Sequence, residues 1–174
     1  MTTILSQQPP DSARRVRHHM RVGWHGLLIF GALGSLLEIL HAWKNPAYLG
    51  VGNEMRRLMW TLAHAHGIGL SVLQIGFAAT LAVIFNEQGP RLVRASRLLD
   101  ASTLLMPLGF FLGGAVPYQS DPGIGVILVP VGALMFLAAT FFTALALPAA
   151  GSSGRASERS PELQAGPSAD VDKH

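Results

Sequence analysis

Apolar residues fall in four long blocks, Val22–Ala42, Leu58–Phe85, Leu98–Val116 and Ile124–Leu147, and most charged residues lie between or beyond them. Each block holds 19 to 28 residues. At a rise of about 1.5 Å per residue, roughly 20 residues cross a bilayer core of about 30 Å. Helices of a soluble bundle would carry a polar face along their length, and the third and fourth blocks have none. The pattern therefore predicts an all-α protein, an integral membrane four-helix bundle. The first block exceeds the apolar stretch of a signal peptide and no A-x-A site follows it, so it is expected to be a retained helix.

Turn residues mark the connections. Trp43–Met55 contains Asn45-Pro46, Gly50 and Gly52-Asn53, with Asn53 expected as the N-cap of the second helix and Glu54 in its first turn. Asn86–Arg97 contains Gly89-Pro90, and Pro117–Gly123 ends in Asp121-Pro122-Gly123. Residues 1–21 form a polar and then basic N-terminal segment. Residues 148–174 are rich in Ser, Gly, Pro and charge, a composition expected to stay disordered.

Composition narrows the function classes. Charged residues make up 13% of the chain, about half the usual share of a soluble domain, which agrees with lipid as the surrounding medium. There is no cysteine, which excludes disulfides, thiolate metal sites and cysteine nucleophiles. Of the thirteen Lys and Arg, ten fall on one side of the expected helices: Arg14, Arg15, Arg17, Arg21, Arg91, Arg94, Arg97, Arg155, Arg159 and Lys173. Lys44, Arg56 and Arg57 fall on the other. That asymmetry predicts both termini in the cytoplasm. The cations flank apolar blocks, so they read as topology signals and not as a nucleic-acid surface.

Ionisable groups inside membrane helices are costly, so each asks for a reason. Glu38 and His41 stand in a Glu-x-x-His spacing near the outer end of the first helix, on one face. His64 and His66 lie early in the second helix, at similar depth, but point about 200° apart on a regular helix. His64 shares the more polar face, with Arg57, Thr61 and Ser71, and is favoured for the inward role. Arg56 and Arg57 sit at a helix N-terminus, where cations are disfavoured, so Glu54, Glu38 or an anionic ligand is expected to offset them. With Asp121 of the third loop on the same side, the candidate cluster is Glu38, His41, Arg57, His64, His66 and Asp121. Glu38 and His64 are expected to share one polar cluster in the outer leaflet. Three roles compete for it: hydrogen bonding between helices, divalent metal or haem ligation through Glu38, His41 and His64, and proton or substrate handling. His25 reads as interfacial.

Small residues suggest close helix contacts at Gly31-x-x-x-Ser35 and Gly109-x-x-x-Gly113, within the chain or between copies in a homo-oligomer. Pro107 and Pro130 are expected to kink the third and fourth helices.

Three stretches carry a resemblance. They are Gly52–Trp60 running into Ala63-His64-Ala65-His66-Gly67, then Met106–Gly114, then Asp121-Pro122-Gly123 with Pro130-x-Gly132-Ala133. Together they resemble four-helix bacterial inner-membrane proteins to which no function is attached, over about Trp24–Leu147. A fainter similarity, through His25-Gly26, Asn45-Pro46 and a histidine early in the second helix, is to hydroxylaminobenzene mutase-like membrane proteins. The resemblance implies the bundle but no reaction. Two readings follow: a bundle that binds a small ligand, lipid or partner, and a membrane enzyme or haem or metal protein using Glu38, His41 and His64.

The charge asymmetry has a direct test. A periplasm-active reporter fused after Gly50 should be active, and one fused after Gly89 inactive; the reverse pattern would invert the topology.

Overall fold

In a computed structural model the chain is described over residues 10–85, 88–118 and 121–147. The tail expected to be disordered, 148–174, and the first nine residues lie outside the described residues. Among the described residues there are five α-helices: α1 (Pro10–Ala42), α2 (Pro46–Leu49), α3 (Glu54–Ile84), α4 (Pro90–Ala115) and α5 (Leu128–Ala146), the last preceded by a 3-10 turn over Ile124–Ile127. Four spans, α1, α3, α4 and Ile124–Ala146, are long and apolar enough to cross a membrane. The protein is all-helical in this sense, and the four spans suggest a multi-pass membrane protein.

α1 runs 33 residues, about 50 Å at the usual helical rise, well beyond a bilayer core. It starts at Pro10, twelve residues before the apolar block, because residues 10–21 continue the helix as a polar extension. α4 likewise starts at Pro90 and carries Arg91, Arg94 and Arg97 in its first turns, ahead of its apolar part. Both extensions lie at the arginine-rich end.

The spans pack in chain order, α1 on α3, α3 on α4 and α4 on α5. α3 and α4 are therefore the inner pair. The outer helices turn large side chains outward: Trp24 and Leu28 on α1, Leu134 and Leu137 on α5. In water such a surface would be costly; against lipid tails it is not. Val16, Phe77, Leu81, Leu92, Leu99 and Ala139 join all four spans in one apolar cluster near the arginine-rich end.

The α1–α3 seam is built from small residues. Gly23, Gly26 and Gly34 of α1 face Ile75, Ser71 and His64 of α3, and Gly67 of α3 faces the Phe30 ring. Gly109 and Gly113 make their close contacts within the chain, against Val129 and Val126. Beyond its own helix backbone, no atom of the described residues lies within 4 Å of a Cβ placed on Gly31, and Ser35 is exposed, so the pair faces outward.

The opposite end is held by loop chemistry. α1 ends with Lys44 in the left-handed region (φ 50°), Lys44 N–H bonded to His41 O and Asn45 N–H to Leu40 O, each at 3.0 Å. This is the double bond of a Schellman stop with lysine where glycine is usual. Asn45 then caps α2, its side chain accepting from Ala47 N–H at 2.9 Å. Asn53 precedes α3 as expected, but its side chain makes no cap; its Nδ2 donates to Pro46 O at 3.0 Å and fastens the loop.

Pro107 lies inside α4 and is buried. Pro130 instead falls in the first turn of α5, where the 3-10 turn gives way to α-helix and proline is well tolerated.

The seam yields a prediction. A Cβ on Gly67 would collide with the Phe30 ring. Gly67→Val should therefore lower stability in detergent by about 1–3 kcal/mol, the usual cost of overpacking. Gly69→Val, at a position with no atom within 4 Å, is the control and should be close to neutral.

Candidate functional site

At the arginine-rich end three helices meet around one imidazole. His19 of α1 is 0% exposed. Its Nδ1 is hydrogen bonded to Gln74 Oε1 of α3, and its Nε2 lies 2.7 Å from Ser96 Oγ of α4. The Gln74 amide also donates from Nε2 to Thr103 Oγ1 at 3.0 Å and to Asp100 Oδ1 at 3.1 Å, both on α4. Thr103 passes its own hydroxyl proton to Leu99 O at 2.8 Å. Asp100 Oδ2 is 2.9 Å from His18 Nε2.

The directions of these bonds follow from the donor inventory. An ionised Asp100 can only accept, so the Gln74 amide must present its NH₂ there and its oxygen to His19. His19 Nδ1 therefore carries a proton and donates it. With Nδ1 protonated, a neutral His19 has Nε2 as an acceptor, which takes the Ser96 hydroxyl proton. His18 Nε2 donates to the carboxylate. Every buried member thus has a partner, as low-dielectric surroundings require.

Helix geometry explains why these residues meet. Ser96, Asp100 and Thr103 are spaced four and three apart and share one face of α4. His19 sits on the α1 face continued by Gly23 and Gly26, so α3 comes close enough for Gln74 to reach it. Phe77, one turn from Gln74, covers the imidazole edge-on with ring centroids 4.8 Å apart.

The network opens to one side. His18 is 51% exposed and Asp100 33%, by side chain. They line a cleft of about 420 Å³ between α1 and α4 whose wall also includes Arg14, Arg15, Ser96 and Arg97. Arg15 Nε donates to Gln88 Oε1 at 2.6 Å. By contrast, three other cavities of the described residues are lined overwhelmingly by apolar side chains.

The residues singled out from sequence lie at the far end. Nineteen residues of α1 separate His19 from Glu38, about 28 Å along the axis. Glu38 and His41 are exposed. His64 Nδ1 donates to Phe30 O at 2.7 Å and its ring seats on Gly34. His66 turns the other way: its Nδ1 donates to Leu62 O, and its ring lies 4.7 Å from that of Phe110. Arg57 donates to Tyr48 O at 3.4 Å and stands 3.8 Å from Glu54. Asp121 is exposed and pairs through its backbone with Tyr118. Among the described residues no hydrogen bond or ion pair joins Glu38 to His64. Arg56 is offset by carbonyls, donating to Ala47 O at 2.9 Å and Gly114 O at 3.2 Å, with its guanidinium 5.7 Å from the centre of the Trp60 ring. His25 bonds its own helix at Arg21 O.

The sequence reading passed over His18, His19, Gln74 and Asp100. Asp100 was the available signal, a carboxylate two residues inside an apolar block. Counted from the arginine-rich ends of the two apolar blocks, Asp100 falls two residues inside and His19 three residues outside, so the block boundaries alone did not bring the two together.

The chain matches no family model, no curated protein and no solved structure.

The hub predicts strong coupling. Gln74→Ala strands the His19 and Asp100 groups and should cost about 1–3 kcal/mol, at the low end in a membrane setting. His19→Ala combined with Gln74→Ala should cost less than the sum of the two, and strict additivity in detergent unfolding would show that the pair contributes nothing jointly.

Proposed function

We infer that this is a multi-pass protein of the bacterial inner membrane, both termini cytoplasmic, that binds a small polar ligand at the cytoplasmic end of its helices. The observation that carries the reading is the cleft between α1 and α4, polar where the other described cavities are apolar, and backed by a buried hydrogen-bond hub. A hub of this kind holds the His18 and Asp100 side chains in fixed positions, which lowers the cost of ordering them around a ligand. The excess of Lys and Arg on that side supports the orientation, and the motif resemblance to four-helix bacterial membrane proteins supports the membrane.

The reading keeps a binding bundle and moves its site from the outer leaflet to the other end. An enzyme or haem protein built on Glu38, His41 and His64 has less geometric support, since His64 is tied to Phe30 and the other two are exposed. Outward-facing Gly31 and Ser35 leave a surface on α1 for lipid or for a second copy.

Thermal unfolding in detergent, run against a panel of small phosphates, carboxylates and divalent cations, tests the cleft. At least one class should raise the midpoint of the wild-type protein, and the rise should shrink in Asp100→Asn but persist in His41→Ala. A rise that is equal in both variants would remove the cleft from the proposal.

A further inference from the structure

Three donor groups converge beside the cleft, His18 and Asp100 on its wall and His19 buried behind them. His18 Nε2, His19 Nδ1 and the Asp100 carboxylate lie within 4.8 Å of one another. Asp100 Oδ2 is 2.9 Å from His18 Nε2, and Oδ1 is 3.4 Å from His19 Nδ1, so the carboxylate stands between the two rings. We propose that this constellation, joined by the Gln74 side-chain oxygen, is a binding site for a divalent first-row transition metal ion. The proposal rests on the cleft reading above and names its ligand.

The chemistry of the donor set selects the ion class. Two imidazole nitrogens and a carboxylate suit zinc, iron(II), cobalt or nickel, whereas magnesium and calcium require oxygen ligands almost throughout. Both hydrogen bonds that hold the set together run through a proton on a ring nitrogen, Nδ1 of His19 and Nε2 of His18. A metal ion takes the place of those protons, and each neutral ring keeps its single proton on the other nitrogen, so that His19 Nε2–H then donates to Ser96 Oγ. Gln74 Oε1 accepts the Nδ1 proton. The same lone pair can then turn to the ion.

The outer contacts are those that a metal-ligating histidine needs. Ser96 Oγ, at 2.7 Å, occupies the second nitrogen of His19 and fixes the ring. Gln74 Nε2 holds Asp100 Oδ1 at 3.1 Å. His18, half exposed, gives the ion a way in from the cleft. The arginines of the cleft wall act against a bare cation. Arg14 is met by Asp11 at 3.6 Å, and Arg15 bonds Gln88. Arg97 has no such partner among the described residues. Its charge should weaken metal binding, and this separates a cation site from an anion site.

The experiment uses the untagged full chain in detergent, stripped with a chelator and titrated with Co²⁺ alone, then competed with Zn²⁺. One equivalent of Co²⁺ should bind per chain with ligand-field absorption bands, and excess Mg²⁺ should not displace it. His18→Ala and Asp100→Asn should each weaken binding about tenfold or more, and Ser96→Ala, which touches only the outer contact, by about tenfold. Arg97→Ala, at an exposed position, should tighten it. Unfolding curves of the metal-free variants check that each is folded, and Arg97→Ala decides the matter if the buried variants are not. Co²⁺ binding unchanged in the folded variants, or weakened by Arg97→Ala, overturns the metal site. If Co²⁺ does not bind while a phosphate or carboxylate stabilises the protein through Asp100, the metal proposal fails alone. If nothing binds, the cleft reading fails with it.

Discussion

The bond between His19 and Gln74 is the constraint on which the arginine-rich end of this protein is arranged. It links α1 to α3, and through the remaining Gln74 donors and the second imidazole nitrogen it links both to α4. Between helices in lipid, apolar burial supplies little driving force, because the tails are as apolar as the side chains they replace. Packing and hydrogen bonds must do that work. One amide and one imidazole, each with every polar atom engaged, fix the depth and rotation of three helices together. The apolar cluster of Val16, Phe77, Leu81 and Leu99 then closes around them.

The far end is organised by a different device. There the polar groups are backbone carbonyls exposed by loops and helix ends, and arginine satisfies them. Arg56 spans Ala47 and Gly114, so one guanidinium ties the first loop to the C-terminal end of α4. Trp60 lies between the Tyr48 and Phe111 rings and donates to Phe111 O at 3.2 Å. This accounts for two arginines at a helix N-terminus without an anionic ligand: their charge is spread over carbonyl oxygens, an aromatic face and, for Arg57, the carboxylate of Glu54.

The helical architecture was legible in the sequence because lipid imposes a simple rule, that a spanning segment must be long and apolar. The rule locates the apolar part of a helix and is silent about polar extensions. It therefore started the first helix at Val22 when helical backbone begins at Pro10, and that shift hid His18 and His19 in what read as a basic tail. The outer candidates were chosen by depth and spacing alone. Depth could not reveal that the lone carbonyl of Phe30 would take up His64, since that depends on Gly34 letting the ring approach. Rotation was read better: His64 and His66 do turn toward different helices, α1 and α4, as a 200° separation requires.

The hub also sets an order of events during synthesis. Gln74 follows His19 by 55 residues and Ser96 follows it by 77. A first span that inserts ahead of the others would enter the bilayer while its imidazole has no protein partner. Its place just ahead of the apolar block lets interfacial water serve until α3 arrives. Only when α4 emerges does the second nitrogen find its hydroxyl and the Gln74 amide its carboxylate. The clasp is thus completed by its last-made component, so α1 and α3 can still adjust their registry until α4 joins them.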